Sequence, residues 1–325
     1  MKRRTFLSAA GASLLACAPM ARAAQSYPKA PVRMIVPYAA GGGADAIARI
    51  MAQGMGDTLD QSFIVENRAG AGGMIGAEMV ARATPDGYTV LMAGNPELTI
   101  SPWIQAKVNY SASRDFLPVV LVSQSPNILV AHPRSENKNL KDALDSAMRS
   151  AGGITIATPG SGSAQHIAVE MLKAETGLEI VHVPYKGAGP ATIAVLGGEV
   201  AFALVGAPPA LPHIASDKLT ALAVTQPQRS PLLPDVPTIE EAMGIMGNED
   251  LVTWYGLLVP AGTPAEAQKQ LERAAFATLE QPGMRDKFAT LGTDLVAMPS
   301  REFAARMERE SARFQTVIQQ LKLTV

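Results

Sequence analysis

Cysteine is almost absent from this chain, and aromatic residues and excess positive charge are scarce. Cys17 is the only cysteine among 325 residues, so the chain cannot form an internal disulfide. Lysine and arginine number 28 against 29 aspartate and glutamate residues, and beyond the N-terminus they form no cluster. This balance argues against a nucleic acid or an anionic membrane surface as partner. The few aromatic residues stand among abundant alanine, valine, leucine and isoleucine, which is typical of layered α/β proteins.

The N-terminus has the pattern of an export signal. The paired arginine at 3–4 precedes an apolar segment, residues 6–18, that is too short to span a bilayer. Arg-Arg-x-Phe-Leu matches the twin-arginine pattern, which a receptor reads. Ala-Arg-Ala at 21–23 is a cleavage sequence, so we expect Ala24 to begin a mature periplasmic protein without a thiol. The sequence before Cys17 also resembles a lipoprotein processing site, and cleavage there would leave a lipid-anchored protein.

Beyond the N-terminus, segments with strand and helix patterns alternate. An apolar run, Val32–Val36, precedes a helical stripe over Ala44–Leu59, and the same order recurs along the chain. Such alternation predicts mainly parallel sheets flanked by helices. A mature length of about 300 residues favours two domains over one. We therefore predict an α/β fold of two domains behind the export signal at 1–23.

Three strand-to-helix turns are rich in glycine, and each could receive a ligand. The first, residues 36–45, contains three successive glycines, which leave backbone N–H groups uncovered. The partial positive charge at the N-terminus of the following helix suits a carboxylate. The other two turns are residues 160–166 and 183–191. All three also have a plain structural interpretation, in which glycine only permits a tight turn and Ser163 only caps a helix.

The sequence lacks the motifs of common catalytic and cofactor sites. Neither serine of the 160–166 turn lies in a Gly-x-Ser-x-Gly pattern, so the nucleophile elbow of α/β hydrolases is missing. The four histidines have no metal-ligand spacing. Gly70-x-Gly72-x-x-x-Gly76 differs from a dinucleotide turn because its third glycine is one place late. We therefore predict no catalytic residue, no metal site and no cofactor.

Nine short motifs follow one another along the chain. They begin with Val-Pro-Tyr-x-x-Gly-Gly-x-x-Asp at 36–45, and the others lie at 65–73, 85–89, 115–119, 160–166, 183–187, 222–225, 233–238 and 259–264. Together they resemble the Bug-type (TctC-type) solute-binding proteins, the receptors of tripartite tricarboxylate transporters. The resemblance implies two α/β domains, residues 24–124 with 226–325 and residues 125–225, because in that family the C-terminal segment returns to the first domain. The two domains would close over a ligand about a hinge near 121–126 and 224–229. It also implies a monomeric, non-catalytic receptor that delivers a small carboxylate to the membrane subunits of such a transporter.

The resemblance also assigns roles to residues of the glycine turns. Backbone N–H groups and ordered waters of the first turn would hold one ligand carboxylate, at Tyr38, Ala40, Gly41, Gly42 and Asp45. The second domain would contact the distal part of the ligand through Ser161, Gly162, Ser163, His166, Tyr185, Lys186 and Gly187. Asn95, which follows a first-domain strand, is a further candidate contact.

Two departures from the family pattern bear on the ligand. Ala201 stands where the family usually has an acid, which would favour a more apolar ligand, and the segment 205–209 is unusual. Two other functions stay open beside transport. One is a periplasmic sensor that binds a similar ligand and signals to a partner, and the other is an α/β hydrolase.

Overall fold

The computed structural model describes residues 27–135, 139–149, 153–246 and 251–324. The predicted leader at 1–23, with its paired arginine and Cys17, lies outside these residues. Within them, the chain forms two sheets that carry helices on both faces. None of the helices in these segments is long and apolar enough to cross a membrane.

Eleven strands in the described segments make up the two sheets. In chain order they are β1 (Val32–Val36), β2 (Phe63–Asn67), β3 (Thr89–Gly94), β4 (Phe116–Ser125), β5 (Asn127–Ala131), β6 (Ile154–Thr158), β7 (Ile180–Pro184), β8 (Phe202–Gly206), β9 (Thr220–Val224), β10 (Thr253–Pro260) and β11 (Asp294–Pro299). The first sheet has the order β11-β4-β10-β3-β1-β2, and the second has the order β7-β6-β8-β5-β9.

The helices between these strands cover both sheets. In chain order they are α1 (Gly43–Leu59), α2 (Met74–Ala81), α3 (Ser101–Ile104), α4 (Ala112–Asp115), α5 (Leu140–Arg149), α6 (Ala164–Thr176), α7 (Ala188–Leu196), α8 (Ala207–Ala215), α9 (Ile239–Met243), α10 (Ala265–Leu279), α11 (Met284–Thr290) and α12 (Ser300–Gln320). A 3₁₀ turn at Ala71–Gly73 precedes α2, and a π-helical turn at Pro96–Ile100 precedes α3.

The predicted α/β two-domain architecture is confirmed, but both sheets are mixed rather than mainly parallel. β3, β1 and β2 run parallel, as do β7, β6 and β8, whereas the remaining neighbours are antiparallel. The difference arises where the chain passes between the sheets. β4 continues into β5 with only Pro126 between them, so this passage has no helical crossover of the kind that joins parallel strands.

The cores lie on both faces of each sheet and follow the periodicity of the sequence. Ile47, Met51 and Met55, which the helical stripe places on one face of α1, are all fully buried against the first sheet. On the opposite face, Trp254 packs edge-on against Phe303 with 5.1 Å between ring centroids. These cores fix the strand ends from which the glycine turns project.

The segment after residue 225 contacts both sheets. β10 and β11 join the first sheet, which also contains β1 to β4. By contrast, α9 packs against α5 and β9, and Phe314 and Ile318 near the end of α12 lie in the core of the second sheet. The boundary at 225/226 thus separates the strands of the first sheet from those of the second. The helices α9 and α12 lie after this boundary and nevertheless contact the second sheet.

The helix α8 is an element that the sequence pattern did not predict. It contains Pro208, Pro209 and Pro212, and proline usually interrupts helices. Pro208 and Pro209 lie in the first turn, where the backbone N–H has no partner inside the helix, so they cost the helix no hydrogen bond. α8 therefore forms directly after β8 and brings its prolines to the strand ends.

Candidate functional site

A cavity of about 840 Å³ lies between the two sheets, where strands of both end. Open α/β sheets commonly bind ligands at such strand ends. All three predicted glycine turns contribute to the wall, together with the passages between the sheets. The lining residues are Tyr38, Gly43, Ala69, Gly70, Ala71, Gly72, Pro96, Ser101, Gln105, Ser125, Pro159, Gly160, Ser161, Gly162, Ser163, Gln165, Lys186, Gly187, Ala188, Gly206, Pro208, Pro209, Thr253 and Tyr255.

Asp45 holds the first turn in shape from inside the protein. Its side chain is buried, and Oδ2 accepts hydrogen bonds from Gly41 N and Arg49 Nε, both at 3.0 Å. Oδ1 accepts a third from Asn67 Nδ2 at 3.0 Å. Burial alone would raise the pKa of Asp45, but the hydrogen bonds from Arg49, Gly41 and Asn67 together lower it. The carboxylate is therefore ionised and uses the Gly41 N–H, which is then unavailable to a ligand.

The N-terminus of α1 offers hydrogen-bond donors to the cavity. Gly42 is its N-cap and has no side chain to cap the helix. No hydrogen bond from the N–H groups of Gly42, Gly43 and Ala44 is found within the described residues, and Gly43 is the one of the three that lines the cavity. The hydroxyl of Tyr255 lies 3.8 Å from the point that a Cβ on Gly43 would occupy. A helix start with N–H groups of this kind beside a hydroxyl donor suits an anion.

Tyr255 is a lining residue that comes from β10, far along the chain from the glycine turns. Its hydroxyl makes no hydrogen bond within the described part of the protein. Burial, and then the charge of Glu97, raises the pKa of Tyr255 to about 12. The hydroxyl therefore keeps its proton at neutral pH and can donate a hydrogen bond to a carboxylate.

Glu97 lies behind the wall of the cavity and is fully buried. Its Oε2 accepts a hydrogen bond from the Tyr38 hydroxyl at 2.5 Å, and its Oε1 accepts one from Gly94 N at 2.8 Å. Burial raises the pKa of Glu97 to about 7, against the opposing effect of these two hydrogen bonds. Glu97 therefore fixes the ring of Tyr38, which lines the cavity.

The loop 69–73 covers Glu97 and forms part of the same wall. Gly70, Ala71, Gly72 and Gly73 all have positive φ, from 47° to 141°. A Cβ on Gly73 would lie 2.9 Å from Glu97 Oε2, so glycine permits the close approach. The loop belongs to the sequence motif at 65–73, but neither this loop nor Glu97 was among the predicted site residues.

The second-domain turn is built around the N-terminus of α6. Ser163 caps the helix, as one interpretation of the sequence predicted. Its Oγ accepts from His166 N at 3.1 Å and donates to Gly160 O at 2.7 Å. The N–H of Gly162 donates to His166 Nδ1 at 3.2 Å, so His166 supports the turn from the protein side. Ser161 is exposed at the cavity surface.

His166 also stacks on His182, a contact that the sequence spacing did not indicate. The ring centroids are 4.2 Å apart and the planes differ by 26°. Candidate ligand atoms of these two rings and Glu170 lie within 4.8 Å of one another. One nitrogen of each ring already has a partner within the protein, because His166 Nδ1 accepts from Gly162 N at 3.2 Å and His182 Nε2 is paired with the Thr158 hydroxyl at 2.6 Å. His166 Nε2 lies 4.0 Å from Glu170 Oε1.

The two histidines are better suited to packing as neutral rings. Burial, and then the neighbouring His182, lowers the pKa of His166 to about 4. Burial also lowers the pKa of His182. Both rings are therefore uncharged at neutral pH, and they support the second-domain turn without adding charge to the cavity.

The third turn divides its residues between the cavity and the outer surface. Lys186 and Gly187 line the cavity, and among the described lining residues Lys186 alone is charged. Tyr185 turns away, and its hydroxyl donates to Glu199 Oε1 at 2.8 Å. The second wall therefore presents one cation beside the N-terminus of α6.

Asn95 and Ala201 do not line the cavity. Asn95 is buried, and its Nδ2 donates to Val252 O at 2.8 Å, which ties the end of β3 to the start of β10. Ala201 precedes β8 at the end opposite Gly206, the residue of that strand that lines the cavity. The position of Ala201 therefore gives no support to the expected influence of this residue on the ligand. The other departure from the family pattern, 205–209, does reach the cavity.

The predicted site residues thus fall into two groups by position. Those that line the cavity are Tyr38, Ser161, Gly162, Ser163, Lys186 and Gly187. Those that lie beside or behind its wall are Ala40, Gly41, Gly42, Asp45, Asn95, His166 and Tyr185. Lining residues that the sequence did not indicate include Tyr255, Pro208 and the loop 69–72.

Comparison with known proteins assigns the chain to a family. Residues 47–323 match the family described as "Tripartite tricarboxylate transporter family receptor", TctC. The chain belongs to the TctC family. Among TctC-type relatives, BugT of Bordetella pertussis is 34% identical over 86% of this chain and 85% of that protein. A relative encoded in the ttuE-ttuC′ intergenic region of Agrobacterium vitis is 35% identical over 89% of this chain and 85% of its own length.

Solved structures of TctC-type proteins share the fold. The periplasmic binding protein BugD is 32% identical with a TM-score of 0.82, covering 92% of this chain and 99% of that one. An R. palustris protein with adipate is 28% identical with a TM-score of 0.84, again over 92% and 99%. MatC from Rhodopseudomonas palustris with bound malate is 29% identical with a TM-score of 0.80, over 90% and 100%. The TctC family consists of solute-binding receptors, and the prediction that the chain is not an enzyme is confirmed.

Proposed function

We propose that this TctC-family receptor binds a small organic carboxylate in the cavity between its sheets and delivers it to a tripartite membrane transporter. The observation that carries the proposal is the set of unpaired donors at Gly43. Gly43, at the start of α1, lines the cavity, and the protonated hydroxyl of Tyr255 lies 3.8 Å from the point that a Cβ on Gly43 would occupy. Carboxylate oxygens suit such donors because each accepts several hydrogen bonds.

The opposite wall supplies a second contact for the ligand. Lys186 stands beside the N-terminus of α6, and Ser161 adds a hydroxyl. A ligand whose carboxylate lies on the α1 side can therefore be held from both domains. The ligands seen in the related structures, adipate and malate, are carboxylates small enough for a cavity of about 840 Å³.

The binding test uses purified mature protein and a panel of carboxylates that includes succinate, adipate, malate and phenylacetate. A ligand that binds only the native state raises the melting temperature, and titration calorimetry then gives the affinity. Tyr255→Phe removes one charge-assisted hydrogen bond and should weaken binding by roughly tenfold to a hundredfold. Tyr185→Phe is the matched control, because that hydroxyl contacts Glu199 outside the cavity. Equal affinity in Tyr255→Phe and wild type would contradict the placement of the carboxylate.

Delivery and location need cellular measurements. Deletion of the gene should abolish high-affinity uptake of the identified carboxylate, and the purified protein should restore it to cells that retain the membrane subunits. If the deletion strain still takes up the carboxylate but no longer changes its transcription in response to it, the protein is a periplasmic sensor instead. Mass spectrometry of the periplasmic protein tests the leader, with a terminus at Ala24 expected and a lipidated Cys17 contradicting it.

A further inference from the structure

The wall beside the donors at Gly43 lacks donors of its own. It is formed by the first turn of α8, where Pro208 and Pro209 line the cavity. The start of a helix normally presents unpaired N–H groups to a ligand, but proline has none. The N–H of Ala207, which precedes them, donates to Pro126 O at 3.0 Å. The first turn of α8 therefore offers the ligand only apolar ring surface.

The position of Pro208 relative to the proposed carboxylate site is close and fixed. Its Cγ lies 3.8 Å from the point that a Cβ on Gly43 would occupy, the same point that the Tyr255 hydroxyl approaches. From behind, Gly292 packs so tightly that a Cβ there would lie 2.9 Å from Pro208 Cα. A carboxylate held at the start of α1 would therefore place its neighbouring carbon against the ring of Pro208.

The Tyr255 hydroxyl at this point is taken up by the proposed carboxylate, and three other polar side chains nearby already have partners within the protein. The Tyr38 hydroxyl donates to Glu97, and Ser125 Oγ donates to Gly292 O at 3.0 Å. Asn127 Oδ1 accepts from Gln165 Nε2 at 2.7 Å and from Thr253 Oγ1 at 3.2 Å. A hydroxyl on the ligand beside Pro208 would lose water and find no donor in return, which is costly in a closed site.

We propose that Pro208 and Pro209 determine specificity, by discriminating against a hydroxyl on the carbon next to the ligand carboxylate. This inference rests on the proposed function, because it uses the carboxylate position at the start of α1. The receptor would then prefer unsubstituted acids over their 2-hydroxy counterparts. A hydrophobic wall rejects an added hydroxyl by about tenfold to a hundredfold, and that is the preference expected here.

The test measures affinities for pairs of acids that differ by one hydroxyl, namely succinate and malate, adipate and 2-hydroxyadipate, and phenylacetate and mandelate. In each pair that binds, the unsubstituted acid should bind at least about tenfold more tightly. A 2-hydroxy acid that binds equally or more tightly would overturn the inference and leave the proposed function intact. Absence of binding to every acid would overturn the proposed function, and this inference with it.

Variants then test whether the prolines cause the preference. Pro208→Ala and Pro209→Ala each restore one N–H donor at the start of α8 and keep a good helix former, so the preference should shrink several-fold. Pro212→Ala is the matched control, because that proline lies in the same helix but is exposed and does not line the cavity. A preference that stays unchanged in the folded Pro208→Ala, Pro209→Ala and double variants, judged by circular dichroism, would overturn the inference.

Discussion

Glu97 connects three parts of the cleft wall through a single side chain. It accepts hydrogen bonds from the Tyr38 hydroxyl and Gly94 N, and the loop at Gly73 lies directly over it. The groups that face it are mostly neutral, because burial raises the pKa values of Tyr38, Tyr110 and Tyr255 as well. An ionised Glu97 is therefore poorly compensated, and its protonation state should affect stability.

We predict that protonation of Glu97 makes the folded protein more stable at acidic than at alkaline pH. With a native pKa of about 7 and an unfolded value of about 4.5, the native state binds more protons between these limits. The stability that protonated Glu97 contributes is therefore lost as the pH rises from about 4.5 to about 7, and the loss is at most about 3 kcal/mol. Glu97→Gln should remove that loss, as measured by urea unfolding at pH 5 and pH 8. Glu302→Gln, an exposed residue of α12, is the control and should leave the difference unchanged.

The loop over Glu97 gives a second prediction at the scale of a residue. Gly72 and Gly73 both have positive φ, so alanine is strained at either position. Only at Gly73 would the added methyl press on the Glu97 carboxylate, because nothing lies within 4 Å of the corresponding point at Gly72. Gly73→Ala should therefore lower the free energy of unfolding by about 1–3 kcal/mol more than Gly72→Ala. Equal losses of the free energy of unfolding in the two variants, as measured by urea unfolding, would mean that Glu97 moves aside freely.

At the scale of elements, the packing of α1 against α10 depends on a glycine inside a helix. The side chain of Thr278 in α10 occupies the space that a Cβ on Gly54 would need. In α7, by contrast, nothing lies within 4 Å of the corresponding point at Gly189. The two glycines therefore differ in contact with a neighbouring element, although both lie in helices.

Alanine should have different effects at these two glycines. Gly54→Ala should destabilise the protein by about 1–3 kcal/mol in spite of the helix preference of alanine, because α1 and α10 must separate. Gly189→Ala should change stability by less than about 1 kcal/mol, because the methyl meets no neighbouring element and the gain from alanine is offset by the restriction that Pro190 places on the residue before it. Thermal unfolding measures both, and Thr278→Ala should recover part of the loss in the Gly54→Ala protein. A stabilising Gly54→Ala would show that the two helices adjust without cost.

At the scale of the whole molecule, the two passages between the sheets are joined side by side. Asn127, at the start of β5, donates to Leu251 O at 2.5 Å and accepts from Thr253 just beyond it. Thr225 Oγ1 also donates to Leu251 O, at 2.7 Å. Gln165, a lining residue of the second domain, bonds to the same Asn127 oxygen. A movement of one domain relative to the other would therefore have to deform this hydrogen-bond network, which lies at the base of the cavity.

We predict that a bound carboxylate draws the two domains together. A ligand held by both walls stabilises the closed arrangement through its higher affinity for that state. Saturating amounts of a panel acid that binds should lower the radius of gyration in small-angle scattering. Lys186→Ala should weaken binding by roughly tenfold to a hundredfold and reduce this compaction, whereas Lys173→Ala, an exposed residue at the far end of α6, should not. An unchanged radius of gyration at saturation would contradict closure.

Much of this protein was determined by the sequence alone, because the signals were local. The stripe over 44–59 predicted α1 to within one residue, and the serine of the second turn that was expected as a possible helix cap, Ser163, caps α6. Helix periodicity, capping and glycine turns depend on residues only a few positions apart. The nine motifs, which are short and ordered along the chain, indicated the family for the same reason.

Only the tertiary structure decided which groups face the ligand. Tyr255 reaches Gly43 because β10 returns to the first sheet beside β3, a pairing that no short window of sequence reveals. Asp45 takes the Gly41 N–H, His166 takes that of Gly162, and Pro208 faces the start of α1. Such contacts depend on strand order and on where the cores place each strand end. Sequence therefore determined the turns, and the packing of the two sheets determined which of their donors remain available.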